Sequence, residues 1–237
     1  MPAISSIPSA SSGALLLAID TCGPSGSVAL GRHGAAGTEV LDQTELAGRS
    51  YSATLVAAVA NLLSRAGVPL RALYAIVAVS GPGSFTGVRV GLAAIKGLAE
   101  VSRIPVVAVS RLEVLAGKAG TAAAALDAHR HEIFLRLGDP GSQARELLVS
   151  VDDLAAIEPA PPRIAVCDEA AQVLSGAWPS ADLVQVAPPT AADALQLCAP
   201  RAMRGQFADL ALLDGHYLRR SDAEIFGEPG AARPNRP

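Results

Sequence analysis

The sequence is poor in aromatic residues and in cysteine. Phe, Tyr and Trp together make up 3% of its 237 residues, so small aliphatic side chains are expected to fill the core of a helix-and-sheet protein. Cys22, Cys167 and Cys198 are an odd number without C-x-x-C spacing, which favours reduced thiols over a disulfide framework. The net charge of −3 disfavours a broad basic face for nucleic acid, but it does not exclude a local basic patch.

Long apolar runs are also missing from the chain. No run reaches the length of a membrane span, and residues 1–12 lack the basic and apolar regions of a signal peptide. We therefore predict a cytoplasmic protein without membrane association. Residues 1–12 and 227–237 are predicted to be disordered tails. Residues 13–110 and 111–226 are predicted to form two subdomains, with the last helix of the second able to pack on the first.

Recognisable catalytic and metal-binding patterns are absent as well. His129 and His131 lie in a polar turn without a third ligand nearby, so we predict a solvated turn and no metal site. Ser80 and Ser84 lack the G-x-S-x-G setting of a hydrolase nucleophile. No catalytic residue is assigned from these patterns.

The most informative segment runs from Ala75 to Val101. A buried-strand pattern up to Ser80 is followed by a glycine turn and, from Phe85, by a helical pattern. One alternative is that the turn cradles a phosphate at the start of the helix, through a group of candidate residues. These nucleotide-adjacent candidates are Asp20, Thr21, Gly81, Gly83 and Ser84.

The second alternative concerns the glycines themselves. Gly83, Gly87 and Gly91 recur every four residues, on one face of a helix, where another helix or a ligand can approach closely. Neither G-x-x-x-x-G-K-[ST] nor G-x-G-x-x-G is present, so packing or partner contact is favoured. Asp20 likewise has two interpretations: a holder of a metal–phosphate complex, or a turn carboxylate that accepts from the N–H groups of Cys22 and Gly23.

The order of elements in the first half predicts an α/β fold with a mixed sheet. Three strands are followed by a helix, a strand, a second helix and a strand, as in the ribonuclease-H-like layout of the actin and sugar-kinase superfamily. In the second half, Thr190 and Asp193 resemble a capping box that opens a helix to about Arg204, and Pro200 inside this helix is expected to kink it unless the helix breaks there. The predicted elements of the first half are strands Leu15–Asp20, Ser27–Leu30 and Glu39–Leu46, helix Ser52–Ala66, a strand from Ala75, a helix from Phe85 and strand Val106–Val109.

Several segments closely resemble the TsaB family, also called YeaZ. The most specific is SGPGSFTGVRVGLAAIKGLA at Ser80–Ala99, preceded by LLLAIDT from Leu15 and SVAL from Ser27. VSRLEVLA, LDAHRHEIF and the closing HYLRR follow in the same order, so the resemblance extends from Leu15 to Phe226. The chain departs from the family pattern at Tyr51, where many relatives have His, and at His129, where the usual residue is Arg.

The resemblance implies a two-subdomain, actin-like ATPase fold (ASKHA) and a non-catalytic role in making N6-threonylcarbamoyladenosine in tRNA. It implies pairing with the catalytic partner TsaD as a heterodimer, recruitment of the ATPase TsaE by the pair, and contact with tRNA through the complex. It further implies no cofactor bound stoichiometrically, ATP or ADP at the complex interface, and a homodimer when the chain is alone. The alternative from the same fold is a glycoprotease-like hydrolase or a nucleotide-dependent enzyme.

Family contacts with TsaD use the first two helices, which correspond here to Ser52–Ala66 and Phe85–Glu100. We expect the groove beside the glycines of the second helix to face the partner, together with apolar residues of the first helix. The candidate interface residues are Tyr51, Leu55, Val59, Gly87, Val88, Gly91, Leu92 and Ile95.

Overall fold

A computed structural model describes residues 13–48, 50–138 and 144–219 of the chain. The predicted tails at residues 1–12 and 227–237 lie outside the described residues. Within these residues there are two five-stranded sheets, here called sheet A and sheet B. Among the same residues, none of the helices is both long enough and apolar enough to span a bilayer.

Sheet A is mixed, as the order of elements predicts. The strands are β1 (Ala14–Asp20), β2 (Gly26–Gly34), β3 (Gly37–Leu46), β4 (Ala75–Val79) and β5 (Val106–Val109). They lie in the order β3-β2-β1-β4-β5; β1 pairs antiparallel with β2, and β2 with β3. The pairs β1–β4 and β4–β5 are parallel.

Both faces of sheet A are covered by helices, which explains why every residue of β4 is buried. Helices α1 (Tyr51–Arg65) and α2 (Phe85–Ser102) pack together on one face. Helix α5 (Ala191–Met203) covers the other. The alternation along β2 shows this arrangement, because Gly26 faces Tyr51 of α1 whereas Gly31 faces Leu195 of α5.

The strands of sheet B are β6 (Ala123–Asp127), β7 (Glu132–Leu137), β8 (Arg145–Ser150), β9 (Arg163–Val166) and β10 (Asp182–Gln185), and 3₁₀ turns lie at Leu70–Ala72 and Val151–Ala156. Sheet B has the order β10-β9-β6-β7-β8 and its own apolar core. Helix α3 (Arg111–Ala119) lies between sheet A and sheet B and packs on β6 and β9. The sequence patterns did not predict the short helix α4 (Ala170–Ala177), which closes the outer side of this sheet.

Helix α5 begins and ends close to where the sequence predicts. The capping box is present, with the Thr190 hydroxyl accepting from the Asp193 N–H and the Asp193 carboxylate accepting from the Thr190 N–H. The helix does not break at Pro200 but continues to Met203. The carbonyl deprived of its donor belongs to Gln196, which is exposed, so water can satisfy it.

Candidate functional site

Two loops meet at the carboxyl edge of sheet A, because the parallel strands β1 and β4 end side by side. One is the turn after β1 and the other is the glycine loop after β4. The Ser84 N–H, at the start of α2, donates to the Cys22 carbonyl at 2.8 Å. A Cβ at Gly83 would overlap the same carbonyl, so only glycine permits this approach. The Ser84 N–H is therefore used within the chain and is not available to a phosphate at this helix start.

Asp20 lies beneath this contact with 2% of its surface exposed. Its Oδ1 accepts from the Cys22 N–H at 2.8 Å, which is the bond that the turn-carboxylate interpretation predicts. Its Oδ2 lies 3.8 Å from Nε of Arg111, the first residue of α3. The Thr21 hydroxyl donates to the Gly87 carbonyl at 2.7 Å, so it too is used within the chain.

Sequence reasoning missed Arg111. Its side chain packs against Gly23 and is buried, and its backbone N–H donates to the Gly81 carbonyl at 2.6 Å. Among the described residues its Nε has no hydrogen-bond partner. Nothing in the local pattern marks this position, because an arginine just after a helix cap is ordinarily a surface residue.

Gly87 and Gly91, here called the glycine stripe of α2, face inward. This is contrary to the expectation that they line a groove facing a partner. A Cβ at Gly87 would overlap the Thr21 carbonyl, and one at Gly91 would overlap the Thr21 hydroxyl. The stripe thus brings α2 onto the end of β1 and leaves no groove for a partner. All the candidate interface residues are buried within the chain's own core: Tyr51, Leu55, Val59, Gly87, Val88, Gly91, Leu92 and Ile95.

The outward faces of α1 and α2 carry a different set of small apolar residues, here called the outer face. Val56 is 60% exposed, and a Cβ at Gly97 would meet no atom within 4 Å. Spacings of three and four residues place these positions on one side of each helix. The outer face consists of Ala53, Val56, Ala57, Ala60, Ala93 and Gly97, all exposed.

A second polar cluster joins α3, sheet B and the segment after α5. Glu146 of β8 accepts from the Ser110 hydroxyl and from Arg136, each at 2.6 Å. His216 places its Nε2 2.8 Å from Oε2 of Glu146, although the pair does not meet hydrogen-bond geometry. Sequence reasoning did not bring these residues together, because they come from four separate segments.

This cluster contains a serine, a histidine and a carboxylate but is not connected as a hydrolytic triad. Glu146 lies between the other two, and Ser110 caps α3 by accepting from the N–H groups of Leu112 and Glu113. Burial raises the pKa of Glu146, but contacts with His216, Ser110 and Arg136 outweigh it and lower the pKa overall. A carboxylate held ionised in this way is a poor general base.

The turn between β6 and β7 has an unusual backbone. His129, Arg130 and His131 are consecutive non-glycine residues with φ near +60° (59°, 58° and 59°). The Asp127 carboxylate accepts from the His129 N–H at 2.8 Å, and Glu132 pairs with Arg219. Across the described residues, no group of three or more His, Cys, Asp or Glu side chains could hold a metal ion.

Comparison with known proteins places the chain in a family. The model of TsaD, tRNA N6-adenosine threonylcarbamoyltransferase, matches residues 38–160, which is more than half of the chain. The chain belongs to this family. Two crystal structures from Pseudomonas aeruginosa, one described as YeaZ and one as an uncharacterized protein with similarity to peptidase YeaZ, align with TM-scores of 0.68 and 0.71. They are 28% and 29% identical to the chain, which covers each of them completely with 86% and 87% of its own length.

Curated TsaB proteins are similar to the chain in sequence. The tRNA threonylcarbamoyladenosine biosynthesis protein TsaB of Haemophilus influenzae is 35% identical over 125 residues, half of this chain. The TsaB of Escherichia coli is 34% identical over 125 residues. The matches span about half the length of these curated relatives, 51% and 52%. These likenesses confirm the TsaB (YeaZ) resemblance and the actin-like fold.

Proposed function

We propose that the chain is a TsaB-type, non-catalytic scaffold for the complex that forms N6-threonylcarbamoyladenosine in tRNA. The modified adenosine lies beside the anticodon of tRNAs that read codons beginning with A. In this proposal the chain pairs with TsaD in the cytoplasm, the pair recruits TsaE, and tRNA reaches the chain through the complex. The similarity to TsaB proteins named for tRNA threonylcarbamoyladenosine biosynthesis supports this pathway.

The outer face is the surface that we propose contacts TsaD. It exposes Val56 and small residues of two packed helices, and no described part of the chain covers it. Small side chains such as Ala53, Ala57 and Gly97 let a second pair of helices approach closely. Two helices from each chain would then form a four-helix contact. In the same proposal, this face also pairs two copies of the chain when the partner is absent.

The contacts of the glycine loop after β4 support the proposal that the chain is not catalytic. The Ser84 N–H, the Asp20 carboxylate and the Thr21 hydroxyl all have partners inside the chain. We therefore propose that the chain holds no resident metal or nucleotide, and that ATP or ADP binds at the interface with the partner.

The test compares two exposed helical glycines. A Cβ meets nothing within 4 Å at Gly97 in the outer face, or at Gly176 in α4. Gly97→Arg should leave the fold intact but weaken TsaD binding by several kcal/mol, because the complex would bury an unpaired charge. Gly176→Arg should bind normally. The assay is affinity capture with TsaD of the same organism, together with tRNA modification by the reconstituted complex. A folded Gly97→Arg variant that binds TsaD with unchanged affinity contradicts the proposal.

A further inference from the structure

The amino ends of the parallel strands in sheet A lie at one edge, opposite the glycine loop. Three backbone hydrogen bonds bring the flanking segments together there. The Tyr74 N–H donates to the Leu15 carbonyl at 2.7 Å, and the Ile76 N–H donates to the Pro105 carbonyl at 3.0 Å. The Ala208 N–H donates to the Val106 carbonyl at 2.8 Å, so the segment after α5 also reaches this edge.

Each of these three segments carries an arginine, and we call this set the arginine edge: Arg71, Arg103 and Arg204. All three are exposed. Over residues 13–48, 50–138 and 144–219, none of the three side chains forms an ion pair or a hydrogen bond. Within five positions of these arginines in the sequence, the exposed carboxylates are Glu100 and Asp209, so these segments carry more positive than negative side chains.

Arg103 occupies a position that normally belongs to glycine. It caps the C-terminus of α2 in the left-handed conformation, with φ of 54° and ψ of 35°. A favourable interaction between arginine and the helix dipole does not require the left-handed position, because a cation in the last helical turn has the same effect. A side chain retained at a strained backbone position points to a use for the guanidinium.

Aromatic rings lie among the arginines. Phe207 is 38% exposed, and its ring centroid lies 6.3 Å from that of Tyr74. In a chain with few aromatic residues, an exposed phenylalanine beside unpaired arginines is notable. Arginines that bind phosphates and an aromatic ring on which a base stacks are the groups with which proteins bind single-stranded or looped RNA.

We propose that the arginine edge and Phe207 form an RNA-binding surface, with the guanidinium groups on backbone phosphates and the phenyl ring against an unpaired base. This inference rests on the proposed function, for which it names the surface by which the chain contacts the tRNA. Pairing through the outer face uses other residues, because the edge is formed by the segments that precede β4 and β5 and by the segment that follows α5.

The test uses the full chain and a fluorescent RNA of the anticodon stem-loop, with binding followed by anisotropy between about 50 and 200 mM salt. Replacing all three arginines by glutamine should weaken binding at least tenfold at low salt. It should also reduce the slope of log affinity against log salt by about 2, for three lost phosphate contacts. Phe207→Ala should weaken binding with little change in the slope. Arg145→Gln, at an exposed arginine of β8 without a described partner, is the matched control and should bind as the parent does.

Arg103→Gly separates binding from folding. Glycine suits the left-handed cap, so this variant should melt no lower than the parent while binding RNA more weakly. The inference is overturned if the chain does not bind the RNA, or if the triple variant binds it with the parent's affinity and salt slope. It is also overturned if anionic vesicles or an acidic protein bind through these arginines while RNA does not. RNA binding is measured with the chain alone and does not involve TsaD. If the parent chain binds the RNA but does not bind TsaD, this result counts against the proposed function only.

Discussion

The Asp20 carboxylate and the Arg111 guanidinium form a buried pair, with Oδ2 and Nε 3.8 Å apart. They are 2% and 7% exposed. Asp20 ends β1 and Arg111 begins α3, so the pair ties sheet A to the helix that leads into sheet B. An arginine thus takes the place beside Asp20 where the metal–phosphate interpretation would put a cation.

Removing one partner of this pair should be strongly destabilising. Arg111→Ala should lower the free energy of unfolding by about 3–5 kcal/mol, because the Asp20 charge would remain buried without its counter-ion. Urea denaturation followed by circular dichroism measures the change. The double variant Asp20→Asn, Arg111→Met should lose less, because it leaves no buried charge. A loss below about 1 kcal/mol in Arg111→Ala would show that the pair is not important for stability.

Alanine substitutions at Gly91 and Gly97 should have opposite effects on stability. Gly97→Ala should raise the free energy of unfolding by up to about 1 kcal/mol, since alanine favours the helix and space is free there. Gly91→Ala should lower it by about 1–3 kcal/mol, since the new methyl group would overlap the Thr21 hydroxyl. Thermal melting of the two variants side by side gives the answer. Equal shifts in the same direction would refute the inward orientation of the stripe.

Glu146 should contribute to stability in a pH-dependent way. Burial raises its pKa, but His216, Ser110 and Arg136 outweigh burial, so the folded-state pKa lies below the ordinary value of 4.5. The unfolded chain then binds this proton more readily than the folded chain does. The stabilisation is therefore complete above about pH 4.5 and is lost as the pH falls through the folded-state pKa.

Glu146→Gln should therefore flatten the loss of stability between about pH 5 and pH 3, relative to the parent. Denaturant unfolding at a series of pH values measures this slope. Glu169→Gln, at an exposed carboxylate, serves as the control for the effect of the substitution itself. An unchanged slope in Glu146→Gln would show that the cluster does not hold the carboxylate ionised.

The three thiols should react slowly in the native protein. Burial raises the pKa of Cys167 to about 11 and of Cys198 to about 12, and it raises the pKa of Cys22 well above its usual value. At pH 8 only about one Cys167 in a thousand is a thiolate. Labelling with a thiol-specific disulfide reagent should be slow, with half-buried Cys167 first, and should become fast for all three in denaturant. Rapid stoichiometric labelling of the native chain would contradict this.

Local patterns were sufficient for elements whose signal lies in consecutive residues. The alternation of apolar runs and turns predicted sheet A and its mixed pairing, and Thr190 with Asp193 predicted the start of α5. Helix α4 escaped prediction because it has only eight residues, too few for a helical period to stand out in the sequence. The helix that Thr190 opens was predicted to continue past Pro200 to about Arg204, close to its observed end at Met203.

The sequence by itself determined the family, through the glycine loop and the segments that follow it in order, and the layout of sheet A. It also showed that Gly83, Gly87 and Gly91 share one face. Only the tertiary structure decided which way that face points, because a glycine permits close approach equally to a partner helix or to its own sheet. The same holds for Asp20 and Arg111, which are 91 positions apart in sequence. Their contact depends on how α3 docks on the end of β1, which no local pattern specifies.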